Sequence, residues 1–502
     1  MRKLTLNLTG FGISKSCIAI LFVILISPTF AAVAQQKNDS EKKSESGQPV
    51  SFYKDIRPIF QMHCYGCHQG AKQGGQYVMT DFAKLLAGGE TGSRAVVPGD
   101  VENSYLYELI VPEDGEAEMP RDASPLKQKE IQLIERWIRE GAKNDTPKNA
   151  NVVFNSKNPP VYKLLPTVTS LDVSPDGSRI AVAGFHEVVI HEVTEKGNQL
   201  QTKIAARLIG LSERIESVKF SPDGKQLVAC GGSPARMGEV QVWDVAKREL
   251  LLSRQVGYDT LYGAAWSGDG KSIAFGCPDT TVRVINAKTG EQTLFNGAHN
   301  DWVLGTVFST KNDHVITVSR DRSMKLIKVD TQRFIDNITS ITPGALKGGL
   351  NAVDCHPTKD ELLCGGADGV VKVYRMLRTK KRRIGDDFNL IRKYPKLDGR
   401  VFDTCFSKDG KQIVAVSSFN GRGVMRVFDT ETAKQTSNFE NKSGGLFAAD
   451  FFPNGKHIAI SGFDGVIRIV DSKNGKLVAQ FDSVPISSNS KKTGKPPAET
   501  QR

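Results

Sequence analysis

At 502 residues the chain is longer than one ordinary hydrophobic core requires, so two or more domains are expected. Charged residues at 24% and hydrophobic residues at 39% exclude wholesale disorder and a multi-span membrane protein. The net charge of +12 does not indicate nucleic-acid binding: Arg2, Lys3 and Lys15 fall in a leader-like segment, residues 51–145 hold 11 basic and 15 acidic side chains, and no helical stretch carries a periodic basic stripe.

A basic n-region precedes the apolar run 17–26 (CIAILFVILI), and Pro28 then leads to Ala32-Val33-Ala34, an A-x-A cleavage pattern before Gln35. The run falls short of the about 20 residues that a spanning helix needs. Residues 1–34 are therefore expected to be a signal peptide, with the mature domains periplasmic or otherwise extracytoplasmic. Counting 13–33 as one segment gives the alternative, a retained N-terminal anchor. Residues 35–50 are polar and without apolar periodicity, as in a flexible linker.

Residues 51–145 are expected to form a small domain. Within it Cys64-Tyr65-Gly66-Cys67-His68 is a C-x-x-C-H motif, the attachment signature of c-type haem. Two thiols three residues apart on one turn can add to both vinyl groups of one porphyrin, and His68, beside the second thiol, can offer its imidazole to the iron as proximal ligand. A zinc site would need two further soft ligands, and His63 is the only other His or Cys in 51–145. A thioredoxin-like pair would need a βαβ setting. One covalent haem c is therefore expected, on Cys64, Cys67 and His68. Further on, a helix is predicted with Ser124 as N-cap, Pro125 at its first position and Gly141 as its stop. Ile131, Ile134, Trp137 and Ile138 give that helix one apolar face to pack against the haem-bearing helix.

The run from Phe52-Tyr53-Lys54-Asp55-Ile56-Arg57-Pro58-Ile59-Phe60 into the haem motif, then Met119-Pro120, Ser124-Pro125-Leu126, Ile134-Glu135-Arg136-Trp137-Ile138 and Gly141-Ala142, resembles the short c-type cytochrome domain of exported planctomycete proteins. That resemblance implies an all-α cytochrome c-like domain with Met119 as the distal iron ligand, and a Met/His pair raises the reduction potential. Met79 is the rival thioether, with a histidine or an open position as the remaining alternatives, while Met62 lies too near the attachment site to reach the far face. Arg94 and Tyr105 are candidates for the haem propionates. Residues 113–118 (EDGEAE) place four carboxylates directly before Met119.

A second polar stretch, 146–160, is expected to be a linker. Beyond it Ser174-Pro175-Asp176-Gly177 recurs as Ser221-Pro222-Asp223-Gly224 and Ser267-Gly268-Asp269-Gly270. Degenerate copies start at Ser309 and His356, followed by Ser407-Lys408-Asp409-Gly410 and Phe452-Pro453-Asn454-Gly455, at intervals of 42 to 51 residues. Apolar strands flank each turn, and a third strand often ends as in Val242-Trp243-Asp244. Period and strand count are those of propeller blades, so residues 161–484 are expected to be an all-β, seven-bladed propeller. The repeats resemble WD40. Blade four comes nearest, with His299 and Ser319-Arg320-Asp321, but Ile327 stands at the family's Trp position. Which terminus supplies the closing strand stays open. Residues 375–383 (RMLRTKKRR) form a basic loop, Cys230, Cys277, Cys355, Cys364 and Cys405 read as buried thiols, and 485–502 as a disordered basic tail.

Together these features indicate an exported mono-haem c-type cytochrome performing one-electron transfer, with the propeller as a protein-docking platform. A Met/His iron has no vacant position for substrate, so no catalytic residue is assigned and an electron carrier is expected rather than a catalyst. The expected partners are a redox protein, basic if the acidic run steers it, and other proteins at the propeller. Nucleic acid is not expected, and a membrane only if the leader is retained. Two alternatives stay open. One is an interaction scaffold whose haem is a sensor. The other is a haem enzyme with the cytochrome-plus-propeller architecture of certain nitrite reductases, although no second-cofactor motif is present and His186, His299 and His356 read as structural.

Overall fold

Seven four-stranded antiparallel sheets follow one another along the chain, at 171–208, 214–255, 262–296, 303–337, 350–393, 400–441 and 446–482. They are the blades of a propeller. This computed structural model describes residues 48–487 except 70–71, 122, 148–153, 197–198, 341–346, 384 and 386. The leader 1–34, most of the linker 35–50, part of the linker 146–160 and nearly all of the tail 485–502 lie outside the described residues. The chain divides into Met1–Pro49 and Val50–Arg502, and every element described belongs to the second unit.

The repeated turn closes on itself. In blade 1 the Ser174 hydroxyl donates to Asp176 at 2.6 Å and accepts the Arg179 N–H at 2.9 Å, and Ser221, Ser267 and Ser407 repeat both bonds. The fourth residue is left-handed, with φ of 75° at Gly177 and 69° at Gly224, a conformation glycine adopts without steric cost. Asn312 takes that place in blade 4 with φ 59°, since asparagine tolerates it better than other side chains. In blade 5 the ring of His356 replaces the serine, its Nδ1 accepting the N–H groups of Thr358 and Lys359.

Each blade uses four strands consecutive in sequence, and among the described residues neither end of the chain lends a strand to close the ring. Closure comes from packing of Ala448, Phe452 and Ile469 against Leu171 and Val173, and from a parallel bridge between Tyr162 and Ile486. Inner-strand carboxylates bind neighbouring blades: the N–H groups of Phe220, Phe406, Ala449 and Val173 donate to Asp172, Asp354, Asp403 and Asp450. Four blades also repeat an Asp four residues before a cation, at Asp279–Arg283, Asp321–Lys325, Asp368–Lys372 and Asp464–Arg468. Cys230, Cys277 and Cys364 are buried free thiols, while Cys355 and Cys405 are half-buried.

Blade 4 contains the expected but truncated hydrogen-bond chain. His299 Nδ1–H donates to Asp321 at 2.9 Å, and the Thr317 hydroxyl lies 2.7 Å from Nε2. Ile327, fully buried, ends the chain there. Burial holds the His299 imidazole below its ordinary pKa, outweighing the nearby Asp321. Burial alone would raise Asp321, but the bonds from His299 and Ser323 hold it well below the usual carboxylate range. On acidification the unfolded chain therefore takes up protons that the folded blade refuses: stability falls as pH drops below about 6.5 through His299, and further below about 3.9 through Asp321. Denaturation midpoints at about pH 7.5 and about pH 5.5 should differ less in His299→Gln than in the unmodified chain, because the variant lacks the titrating ring.

Among the described residues, four α-helices lie before the propeller, α1 (Arg57–His63), α2 (Phe82–Ala87), α3 (Tyr105–Ile110) and α4 (Gln128–Arg139), with a helical turn Phe52–Ile56 leading into α1. A two-stranded ladder, β1 (His68–Gln69) and β2 (Lys72–Gln73), adds strand structure, so helix is not the sole element of this region. The apolar face of α4 is as expected, with Ile131, Ile134, Trp137 and Ile138 all buried. Trp137 is ringed by Phe52, Phe60 and Phe82 at centroid distances of 5.4, 6.2 and 6.2 Å. The helix starts later than Ser124 and Pro125 predict. The chain stays extended through Lys127, burying Leu126, and the Glu130 carboxylate caps by accepting the Lys127 N–H at 2.9 Å. Gly141, at φ 97°, follows the last turn as predicted.

Candidate functional site

Past the end of α1 the backbone keeps turning. The N–H groups of Cys64 and Tyr65 donate to Phe60 O, and those of Cys67 and His68 to Cys64 O at 3.1 and 3.0 Å. Cys64, Cys67 and His68 therefore share one short turn. Cys64 is half-buried against the core of the helical region, Cys67 is exposed, and both are free thiols. Burial, with Cys67 beside it, pushes the Cys64 thiol up to about 12.

His68 Nδ1 lies 3.0 Å from Gly74 O. A carbonyl only accepts, so Nδ1 carries the proton and Nε2 is left with its lone pair. Metal-ligating histidines are commonly oriented in this way, the second ring nitrogen donating to a backbone carbonyl. Burial holds the imidazole below its ordinary pKa despite the Gly74 carbonyl, which favours the neutral ring that a metal requires. The Tyr77 ring stands 5.3 Å away. Gly74 packs closely here, and a Cβ on it would lie 3.3 Å from Cys67 O.

The two candidate thioethers are placed differently. Met79 is buried and its N–H donates to His68 O at 2.9 Å, so its backbone is tied to the His68 strand. Met119 is half-buried against the same core as Cys64, and its N–H donates at 2.9 Å to the carbonyl of Leu109 in the last turn of α3. His63 faces Glu130 on α4 at 3.5 Å. Arg94 is exposed, and its carbonyl accepts the Tyr105 N–H at 3.2 Å, bringing the two propionate candidates together.

The acidic run forms a tight hairpin: Glu113 and Glu116 exchange N–H···O bonds of 2.8 and 3.0 Å around Asp114 and Gly115, both at positive φ. Its four carboxylates are exposed. In the basic run Arg378 and Arg382 pair with Asp336, and Arg375, Arg378 and Lys380 lie over the Phe388 ring at 5.4–5.6 Å. Among the described residues no ion pair joins the acidic run to the basic one. His186 packs between Phe154 and Phe185, and with His299 and His356 it serves the propeller's own framework.

Sequence reasoning missed where the turn rests. It lies against the outer strand of blade 2, Glu249–Gln255: Lys72 Nζ donates to Leu251 O at 3.1 Å, and a Cβ on Gly66 would lie 2.5 Å from Ser253 O. The glycine between the two cysteines was the only local hint of a close neighbour.

Residues 64–122 match the family Planctomycete cytochrome C. Residues 338–375 and 433–471 match WD domain, G-beta repeat. The chain joins a planctomycete-type cytochrome segment to a WD40 propeller. Among curated relatives, eukaryotic translation initiation factor 3 subunit I of Aspergillus terreus is 25% identical over 61% of this chain and 79% of its own length. Periodic tryptophan protein 2 of Saccharomyces cerevisiae is 21% identical over 64% of this chain and 36% of its own, and protein tipD of Dictyostelium discoideum 22% over 72% and 57%. At such identities the likeness carries no activity across.

Haem c fits the residues of the cytochrome segment: two free thiols and an imidazole that burial keeps neutral stand on one turn. Among the described residues no group of three or more His, Cys, Asp or Glu is placed to hold a metal ion.

Proposed function

We propose that the chain is an exported mono-haem c-type cytochrome in which a cytochrome c-like domain, 51–145, transfers single electrons and the propeller, 161–484, docks proteins. The observation that carries this reading is the bond from His68 Nδ1 to Gly74 O on the turn that holds Cys64 and Cys67. Cys64 and Cys67 would supply the thioethers, His68 the proximal ligand and Met119 the distal one. Haem c held there supplies reversible one-electron exchange at iron. The residues around it position and shield: Gly74 O orients the imidazole, Tyr77 covers one side of it, and Phe52, Phe60 and Trp137 keep water from the core beneath Cys64. With Met79 tied by its backbone to the His68 strand, Met119 would be the thioether that holds the iron together with His68.

The acidic hairpin, whose bonded position Glu116 lies three residues before Met119, suits the capture of a basic redox partner. Such steering weakens as salt shortens the Debye length, about 8 Å at physiological ionic strength. Export through residues 1–34 belongs to the same reading, because haem attachment of this kind takes place outside the bacterial cytoplasm. The test is a redox titration of the purified chain followed in its visible spectrum, with pyridine haemochrome giving haem type and stoichiometry. One haem c per chain with a reversible one-electron transition is expected, and a colourless chain would refute the assignment.

Replacing Met119 with Ala should open the sixth position. The ferrous variant is expected to bind CO readily and its midpoint to fall below that of the unmodified chain, while Met79→Leu should leave both unchanged. A second reading, a propeller scaffold with a sensing haem, is favoured by the WD40 repeats themselves. It requires the unmodified ferrous chain to take up CO.

A further inference from the structure

Blade 2 contains a carboxylate with an unusual environment. Glu239 and Glu187 are both fully buried. Glu187 pairs with Arg207 at 2.6 Å, whereas Glu239 is held only by neutral donors. Its Oε1 accepts the Ser253 hydroxyl, and Oε2 accepts the Ser212 hydroxyl and Gln241 Nε2, each at 2.7 Å. Gln241 Oε1 accepts Trp243 Nε1–H at 2.9 Å, completing the chain inward. Burying a carboxylate without a cation is costly, so its retention asks for a local purpose.

The purpose lies in Ser253. That residue sits on the outermost strand of the blade, where carbonyls have no further strand to pair with. The side chain of Ser253 points in to Glu239, while its carbonyl faces Gly66 of the C-x-x-C-H turn. Two residues earlier Leu251 O receives Lys72. The turn thus covers the blade edge that Glu239 fixes from beneath.

We propose that Glu239 is a positioning residue for the haem-binding turn: through Ser253 it fixes the edge on which Gly66 and Lys72 rest, and its buried negative charge favours the ferric over the ferrous state. The inference rests on the cytochrome reading and makes the propeller part of the redox unit. An anion in low dielectric stabilises the more positive oxidation state, so it lowers the midpoint.

The test uses the exported full-length chain and Glu239→Gln, which keeps the shape and removes the charge. The midpoint from spectroelectrochemical titration should rise, and deuterium uptake over residues 64–69 should quicken, with propeller melting little changed. A midpoint or an uptake equal to that of the unmodified chain overturns the proposal, as does a change in propeller melting alone. Should Glu239→Gln fail to fold, Ser253→Ala severs the same link at the surface strand, and unchanged uptake over 64–69 in that variant is equally fatal. A missing Soret band in the unmodified chain would defeat the cytochrome reading instead, while uptake, which needs no pigment, still decides whether Glu239 holds the seat.

Discussion

Changing Cys64 and Cys67 together to Ser should abolish covalent pigment while leaving the propeller folded. A thioether needs sulfur, and a serine hydroxyl does not add to a vinyl group under the same conditions. His68 would remain, with Nδ1 donated to Gly74 O, so any residual colour would be coordinated rather than bonded and would pass into acidified acetone. The single variants should differ. Cys64 packs against the helical core and Cys67 is exposed, so Cys64→Ser places a hydroxyl against apolar neighbours as well as losing a bond, and Cys67→Ser loses only the bond. Haem staining of a denaturing gel reads the covalent fraction directly. Circular dichroism of the double variant should retain the β-sheet signal of the propeller. Full covalent staining in the double variant would disprove the assignment of both thiols.

Trp137→Ala should cost the helical region about 3–5 kcal/mol, the upper range for removing a large buried aromatic side chain. Trp137 is 1% exposed and touches three phenylalanines, so no neighbour can collapse into the space without leaving its own contacts. Its Nε1–H also donates to Lys143 O at 3.1 Å, which ties the end of α4 to the segment that follows. A domain of this size is stable by about 5–15 kcal/mol, so the loss takes a large share of the total. Urea titration read by proteolysis should show residues 51–145 becoming cleavable at much lower denaturant, with the propeller's midpoint unmoved. A shift below about 1 kcal/mol would mean that the aromatic cluster is not the core of that region.

How much could be read in advance follows from how local each signal is. The Ser-Pro-Asp-Gly turns were legible because serine, aspartate and glycine satisfy one another within six residues, so their recurrence alone announces the blades. The C-x-x-C-H turn was legible for the same reason, as was Gly141, whose left-handed backbone stops a helix wherever it occurs. The start of α4 was not: Ser124 has the chemistry of a cap, but burying Leu126 decided the path and Glu130 capped Lys127 instead. His356 falls at the serine's place in the repeat, but that its ring takes over the serine's role is visible only once the turn's N–H groups are seen converging on Nδ1.

The sequence by itself determined the seven-blade repeat and the cluster of two thiols and an imidazole, since both depend on residues close in the chain whose bonds close over a few positions. Only the tertiary structure decided how the ring shuts and that the C-x-x-C-H turn lies on the outer strand of blade 2. Those depend on edge carbonyls and buried carboxylates far apart in sequence, such as Ser253, Glu239 and Gly66, which acquire partners only when the chain has folded.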